Sequence, residues 1–184
     1  ALTLKGAGSG KVVLGDGELI FPDADGSANQ YIKSDGSKNL AFATLPAGGK
    51  VVQVVNVMTG AVATGTTVIP ASNSIPHQGQ GNEYMTLAIT PSNASNKLKI
   101  DVVASIGNNS SSSSNTVALF QDSTSNALAV VLDMKASAQF VSNMKLTHFM
   151  AAGTTSATTF KIRAGSPDST STFTFNGFGG ARKY

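Results

Sequence analysis

The chain contains no cysteine and no tryptophan. Without cysteine, neither a disulfide framework nor a thiolate metal site can form, so stability must come from core burial or from association. Charge is scarce too: Asp, Glu, Lys and Arg make up 12% of the 184 residues, about half the share typical of soluble domains. The balance is +3 with a pI near 9.2, yet apart from Arg182-Lys183 the basic residues stand singly. A nucleic-acid partner calls for a clustered basic footprint, and the sequence has none. The longest apolar run, "ALAVVL" at 127–132, falls far short of the roughly 20 residues that cross a bilayer, which argues against membrane insertion. The chain opens on Ala1 in a polar, Gly-rich stretch and not on a signal sequence, as expected of a processed or excised piece.

What fills the polar positions is Ser, Thr, Asn and 19 glycines, the profile of a turn-rich β-protein of extracellular or particle-associated type. The length suggests one or two domains. In the first third, Asp-Gly pairs recur at Asp16-Gly17, Asp25-Gly26 and Asp35-Gly36, with "ELIFP", "NQYIK" and "NLAFATL" between and after them. Asp-Gly favours tight turns, because both residues tolerate positive φ and the Asp carboxylate can bond the backbone two residues on. The pattern predicts a meander of very short strands.

Each run supplies only two or three large apolar side chains. A stable small sheet needs a covered face, and this segment has too few apolar residues to cover its own. Copies of the chain around a three-fold axis would supply the missing surface. Phe21, Tyr31, Ile32, Leu40, Phe42 and Leu45 are therefore candidate trimer-interface residues. Pro46, Gly48 and Gly49 in "LPAGGK" then punctuate the chain. Residues 1–46 read as an intertwined shaft or neck, and 47–184 as a head domain.

The head begins with "KVVQVVNVMTG", a β-branched run predicted as its first strand. Further strand candidates follow at the spacing of a sandwich: 66–70, 83–90, 97–105, 115–121, 126–132, 145–151, 158–164 and 172–177. In "KLKIDVVAS", Leu98, Ile100 and Val102 alternate with Lys97, Lys99 and Asp101, and Phe160 and Ile162 alternate with Lys161 and Arg163. That is a sheet with one face in a core and one in water. "GNNSSSSSN" at 107–115 reads as a flexible polar loop tip. Over 127–142 the Val-Val pair and the lack of a cap favour a strand and a loop over a helix.

Catalytic chemistry finds little to work with. His148 sits in a strand, and His77 lies in the loop "SIPHQGQGNEY" with no companion ligands, so neither makes a metal or triad site. Glu18 and Glu83 are the two glutamates, and glycosidase chemistry needs a carboxylate pair at a defined separation. "GAGSGKVVLGDG" lacks the Ser or Thr after Lys11 that a phosphate-binding loop requires. No catalytic residue, cofactor or metal is assigned.

"LGDGELIFPDADGSANQYIKSDGSKNLAFATL" resembles a segment of many tailed-bacteriophage fibre and tail proteins. There an "L-K-T-D-G-S-G-N-L" type of motif precedes a head domain. "GNEYMTLAITPSNASNKLKIDVV", "VALFQDSTSNALA", "LTHFMAAGTTSATTFKIRAGS" and "FTFNGFGGARKY" look like the head of such proteins, so the likeness runs over about 14–184. The resemblance implies an all-β homotrimer of the virion, extracellular in action. Its short-stranded neck leads into a jelly-roll-like antiparallel β-sandwich head that contacts the host surface. It also implies a further strand after Arg182. Expected partners are a second and third copy, other virion tail proteins, and a host cell-surface glycan or protein.

Polar loops on a rigid sheet scaffold suit adaptable surface recognition. The receptor-binding candidates are His77, Asn82 and Tyr84, then Asn108 and Asn109 in the polar tract, then Phe178, Arg182 and Tyr184 in the tail. Each of these loops reads equally well as ordinary solvated surface. Two rival functions remain: a purely structural virion or filament subunit without receptor binding, and a hydrolase that trims surface polysaccharide.

Overall fold

The structure is a computed structural model, and it describes residues 13–14, 19–22, 26–45, 49–110, 114–134 and 140–182. The chain forms two compact units, Ala1–Val52 and Gln53–Tyr184. Every regular element among the described residues is a β-strand.

The first unit holds two separate hairpins rather than one continuous meander. β1 (Val13–Leu14) pairs antiparallel with β2 (Leu19–Ile20), and β3 (Gln30–Ser34) with β4 (Leu40–Thr44). The turn between β3 and β4 is built by the third Asp-Gly pair. The Asp35 carboxylate accepts hydrogen bonds from the backbone N–H of Ser37 at 2.7 Å and from the Asn39 side-chain amide at 2.9 Å. Gly36 takes φ +83°, the left-handed conformation that the turn requires. Asp16, Gly17 and Asp25 lie outside the described residues. Ile32 stands opposite Phe42 across the ladder, so Ile32, Phe42 and Leu40 share one face while Tyr31 points to the other. Gly26 lies under the Phe42 ring; a Cβ there would come within 2.6 Å of it.

The second unit is a sandwich of two four-stranded antiparallel sheets, with orders β10-β7-β12-β5 and β6-β11-β8-β9. Its strands are β5 (Ala63–Gly65), β6 (Asn82–Ile89), β7 (Lys97–Asn108), β8 (Ser114–Gln121), β9 (Ala129–Met134), β10 (Phe140–Ala151), β11 (Thr158–Gly165) and β12 (Phe173–Phe175). Taken from β5 onward, the first sheet collects the first, third, sixth and eighth strands and the second sheet the rest. That is the strand order of a jelly roll. The core lies between the sheets, where Val102 and Ile106 of β7, Leu119 of β8, Phe160 and Ile162 of β11 and Phe173 and Phe175 of β12 pack together. Burial follows the predicted alternation, with Lys97, Lys99 and Asp101 on the solvent side of β7.

β8 is buried on both faces. Val117 and Leu119 point into the core, whereas Ala118 and Phe120 point outward and are still fully covered. The segment 66–81 is tied to the chain just beyond this strand, where Gln78 N donates to Ser125 O at 2.9 Å and Ala127 N donates to Pro76 O at 2.8 Å.

Two strand expectations need correction. "TTVIP" at 66–70 is not a strand: it belongs to the segment 66–81, and Ile69 is fully buried with its N–H on Ser166 O. "KVVQVVNVMTG" joins no sheet. The strand beside β12 is β5, and β12 is so short that it offers pairing to Ala63–Gly65 alone. Residues 127–142 hold a strand at 129–134 and the start of another at 140, not a helix.

Candidate functional site

At one end of the sandwich, the chain leaves β7 after Asn108 and enters β12 at Phe173, and these two neighbours in the sheet bring their loops together. Asn109 Oδ1 accepts a hydrogen bond from Thr172 N at 2.7 Å. On the β12 side, "SPDST" forms an Asp turn in which the Asp168 carboxylate accepts from Thr170 N at 2.9 Å and Thr170 Oγ1 at 2.7 Å. Ser171 Oγ caps the same turn by donating to Asp168 O. The Thr170 hydroxyl and N–H, helped by the Ser110 hydroxyl, hold the Asp168 carboxyl below the usual carboxylate range. The carboxylate itself stays at the surface, so this end presents a fixed anion flanked by hydroxyls and by the Asn109 side chain. Such a group of donors and acceptors can engage sugar hydroxyls or peptide amides without further ordering.

Asn109 is the sequence candidate that this tip contains. Asn108, by contrast, is 1% exposed, because β7 runs farther than its polar sequence suggested. Its Nδ2 donates to Asn115 Oδ1 at 2.8 Å, and its Oδ1 accepts from Ser110 N at 2.9 Å. It holds the tip from beneath and has no surface to offer a receptor. Asp168 belongs to this tip as well, although in sequence "SPDST" signals only a turn.

The remaining candidates lie elsewhere. Asn82 and Tyr84 meet beside Gly65, where a Cβ would come within 2.2 Å of Asn82 Oδ1 and 2.6 Å of the Tyr84 hydroxyl. Asn82 Oδ1 accepts from Thr67 N at 3.0 Å. The Tyr84 ring stacks on Phe175 with centroids 4.8 Å apart, and its hydroxyl is buried without a partner. Burial pushes that phenol up to about 12. Tyr84 is thus directed into the sandwich and not toward a receptor.

His77 is exposed in a local turn, its Nδ1 accepting from Gly79 N at 3.1 Å. Phe178 is half-buried in a turn closed against Ala181. Arg182 is exposed and donates to Gly60 O. Tyr184 lies outside the described residues. The candidates therefore do not converge on one surface. Among the described residues no group of three His, Asp or Glu side chains is placed to hold a metal ion.

A second feature has different chemistry. β12 pairs with β7 only over Phe173–Phe175, opposite Ile106–Asn108, and beyond that the sheet has a gap. An apolar groove of about 370 Å³ opens there between β6 and β7. Leu87, Ile89, Leu98, Ile100 and Phe160 line it, and so do Val55, Asn56, Val57 and Met58.

Comparison with protein-family models gives no match, and comparison with curated proteins gives none either. Among solved structures, the C-terminal domain of EclA, a sugar-binding protein, is similar at a TM-score of 0.37 and 16% sequence identity, covering 71% of this chain and 82% of that one.

Proposed function

We propose that the chain is a homotrimeric attachment protein of a tailed-bacteriophage fibre, which holds a host-surface glycan or protein with the Asn109–Asp168 end of its head. The observation that carries the reading is this preset polar tip on a jelly-roll scaffold. Its anion and hydroxyls are already fixed by hydrogen bonds, so binding orders little. A single such contact is weak. Three copies on one particle multiply it through effective concentration.

The trimer draws support from the apolar side chains that the single chain leaves in water. Ile32 is 47% exposed and Leu45 is 64% exposed. The non-enzymatic reading draws support from the employment of the carboxylates. Glu83 pairs with Arg163 at 3.3 Å, Asp101 with Lys99 at 2.6 Å, and Asp122 accepts from Thr159 N at 2.7 Å. Carboxylates tied into such contacts are poor general acids and bases for sugar hydrolysis.

Light scattering tests the assembly: the mass should be three times 18.7 kDa, and a monodisperse monomer would refute the trimer. Labelled protein should adsorb to host cells, and Asn109→Ala together with Asp168→Ala should lower adsorption at least tenfold while leaving the mass unchanged. Unaltered adsorption would move the contact away from this tip. Robust docking to particles with no adsorption to any cell would favour a purely structural subunit. Release of reducing sugar from a host capsule would favour the hydrolase.

A further inference from the structure

Among the described residues, the sandwich contains a sheet edge without a strand and a strand-like segment without a sheet. β7 is paired along its whole length with β10 on one side. On the other side its partners are β12, from Ile106 to Asn108, and Asn176, whose N–H bonds Ser105 O at 2.7 Å. Among the described residues the stretch 97–104 therefore has a free edge, and the apolar groove opens directly against it. Leu98 and Ile100, on the inner face of that stretch, are groove walls.

The segment 51–58, "VVQVVNVM", matches the free stretch in length. Its alternation gives one face of Val51, Val55 and Val57 and another of Val52, Val54 and Met58. β-branched residues at that density favour a pleated, half-buried setting. Yet Val51 is 81%, Val54 78% and Met58 89% exposed, and the segment makes no backbone ladder among the described residues. The side chain of Gln53 reaches Thr90 O at 3.1 Å, and residues 55–58 line the groove of their own chain, with Val55 39% and Val57 41% exposed, so the segment lies along the groove without joining the sheet.

An unpaired edge and an exposed β-branched strand are each a template for association. Strand addition satisfies both at once, the backbone supplying affinity and the groove receiving alternate side chains. We infer that 51–58 is an exchanged strand, which in the oligomer pairs with the free edge of β7 in a second copy and seats Val55 and Val57 in that copy's groove. The occupant is a second copy because 51–58 has the required length and pattern yet, beside its own groove, forms no ladder and leaves Val51, Val54 and Met58 exposed. Each copy then gives one strand and receives one, a head-to-tail contact that closes into a ring. The inference rests on the homo-oligomeric reading above and assigns the contact that makes it.

The absence of native cysteine makes cross-linking a clean test. Chains with Val54→Cys are refolded together with chains carrying Lys99→Cys, Asp101→Cys or Val103→Cys, each in turn, and oxidised. All four positions are exposed. Expected is a covalent dimer between the two chain types with at least one of the three partners, cleaved by reductant. A double variant that oxidises within a single chain, or no dimer with any partner, would overturn strand exchange.

A second readout is the mass of Val55→Asp/Val57→Asp. Exchange predicts that this variant becomes monomeric while its sandwich still unfolds cooperatively. If the unmodified protein is itself monomeric, both readings fail. If it is trimeric but neither cross-links nor responds to the aspartates, strand exchange alone fails.

Discussion

Single residues account for the local rules that the fold obeys or breaks. Tyr84 breaks one, because its ring stacks on Phe175 while its hydroxyl is buried with no partner. A buried polar group without a hydrogen bond costs about 1–3 kcal/mol. Tyr84→Phe keeps the ring and removes that cost, so it should raise stability by about 1 kcal/mol in urea unfolding. Tyr84→Ala should lower it by about 3 kcal/mol through loss of the aromatic contacts. The phenol also gives the fold a pH limit. Its folded pKa is raised to about 12, above the ordinary value near 10, so its contribution is complete below pH 10. It is lost as pH rises toward 12, and Tyr84→Phe should flatten that decline. A Tyr84→Phe variant less stable than the parent would show that the hydroxyl does have a partner.

At the scale of elements, what the sequence disclosed depended on how local the cause was. The Asp35-Gly36 turn is local, and its carboxylate does bond the backbone two residues on. The faces of β7 were legible because alternation is a property of one strand. Pairing is not local, which is why "KVVQVVNVMTG" reads as a strand and yet finds no ladder in its own chain. For the same reason 66–70 reads as a strand while its backbone bonds run to Ser166, Gly81 and Asn82. Asn108 looked exposed because a serine tract follows it. Its burial comes from Asn115 and from the sheet around it, which no window of sequence contains. The Asp168 tip was illegible because it needs two distant loops to meet.

The β3–β4 hairpin gives this scale its prediction. The Asn39 amide, then the Ser37 N–H, lower the Asp35 pKa below its ordinary value. A depressed folded pKa means stabilisation present above the ordinary carboxylate value and lost as pH falls through the folded one. The Ser37 and Asn39 amide resonances should therefore shift toward coil values on acidification. In Asp35→Ala they should be coil-like already at neutral pH. Amides of that variant that stay native at neutral pH would show that Gly36 and Lys38, both at positive φ, suffice for the turn.

For the whole molecule, the question is how two units with very different cores share stability. The sandwich has an interior of its own, with Ile106, Leu119, Phe173 and Phe175 almost wholly buried. The first unit has only the hairpin face of Ile32, Leu40 and Phe42, and Phe42 covers Gly26 with part of its ring. If that face packs against sister chains, its loss must appear in assembly before it appears in the sandwich. Leu45→Ser is the cleaner probe, since Leu45 is 64% exposed in the single chain; Phe42→Ser also removes a contact inside the hairpin. Both variants should dissociate to monomers at a lower temperature than the parent, Phe42→Ser the lower of the two. The unfolding transition of residues 53–184, followed through the Tyr84 signal, should stay within about 1 kcal/mol, because distant substitutions act independently. Trimers of both variants that resist heating as the parent does would remove the hairpin face from the interface. The exchanged strand would then be left as the contact that assembles the protein.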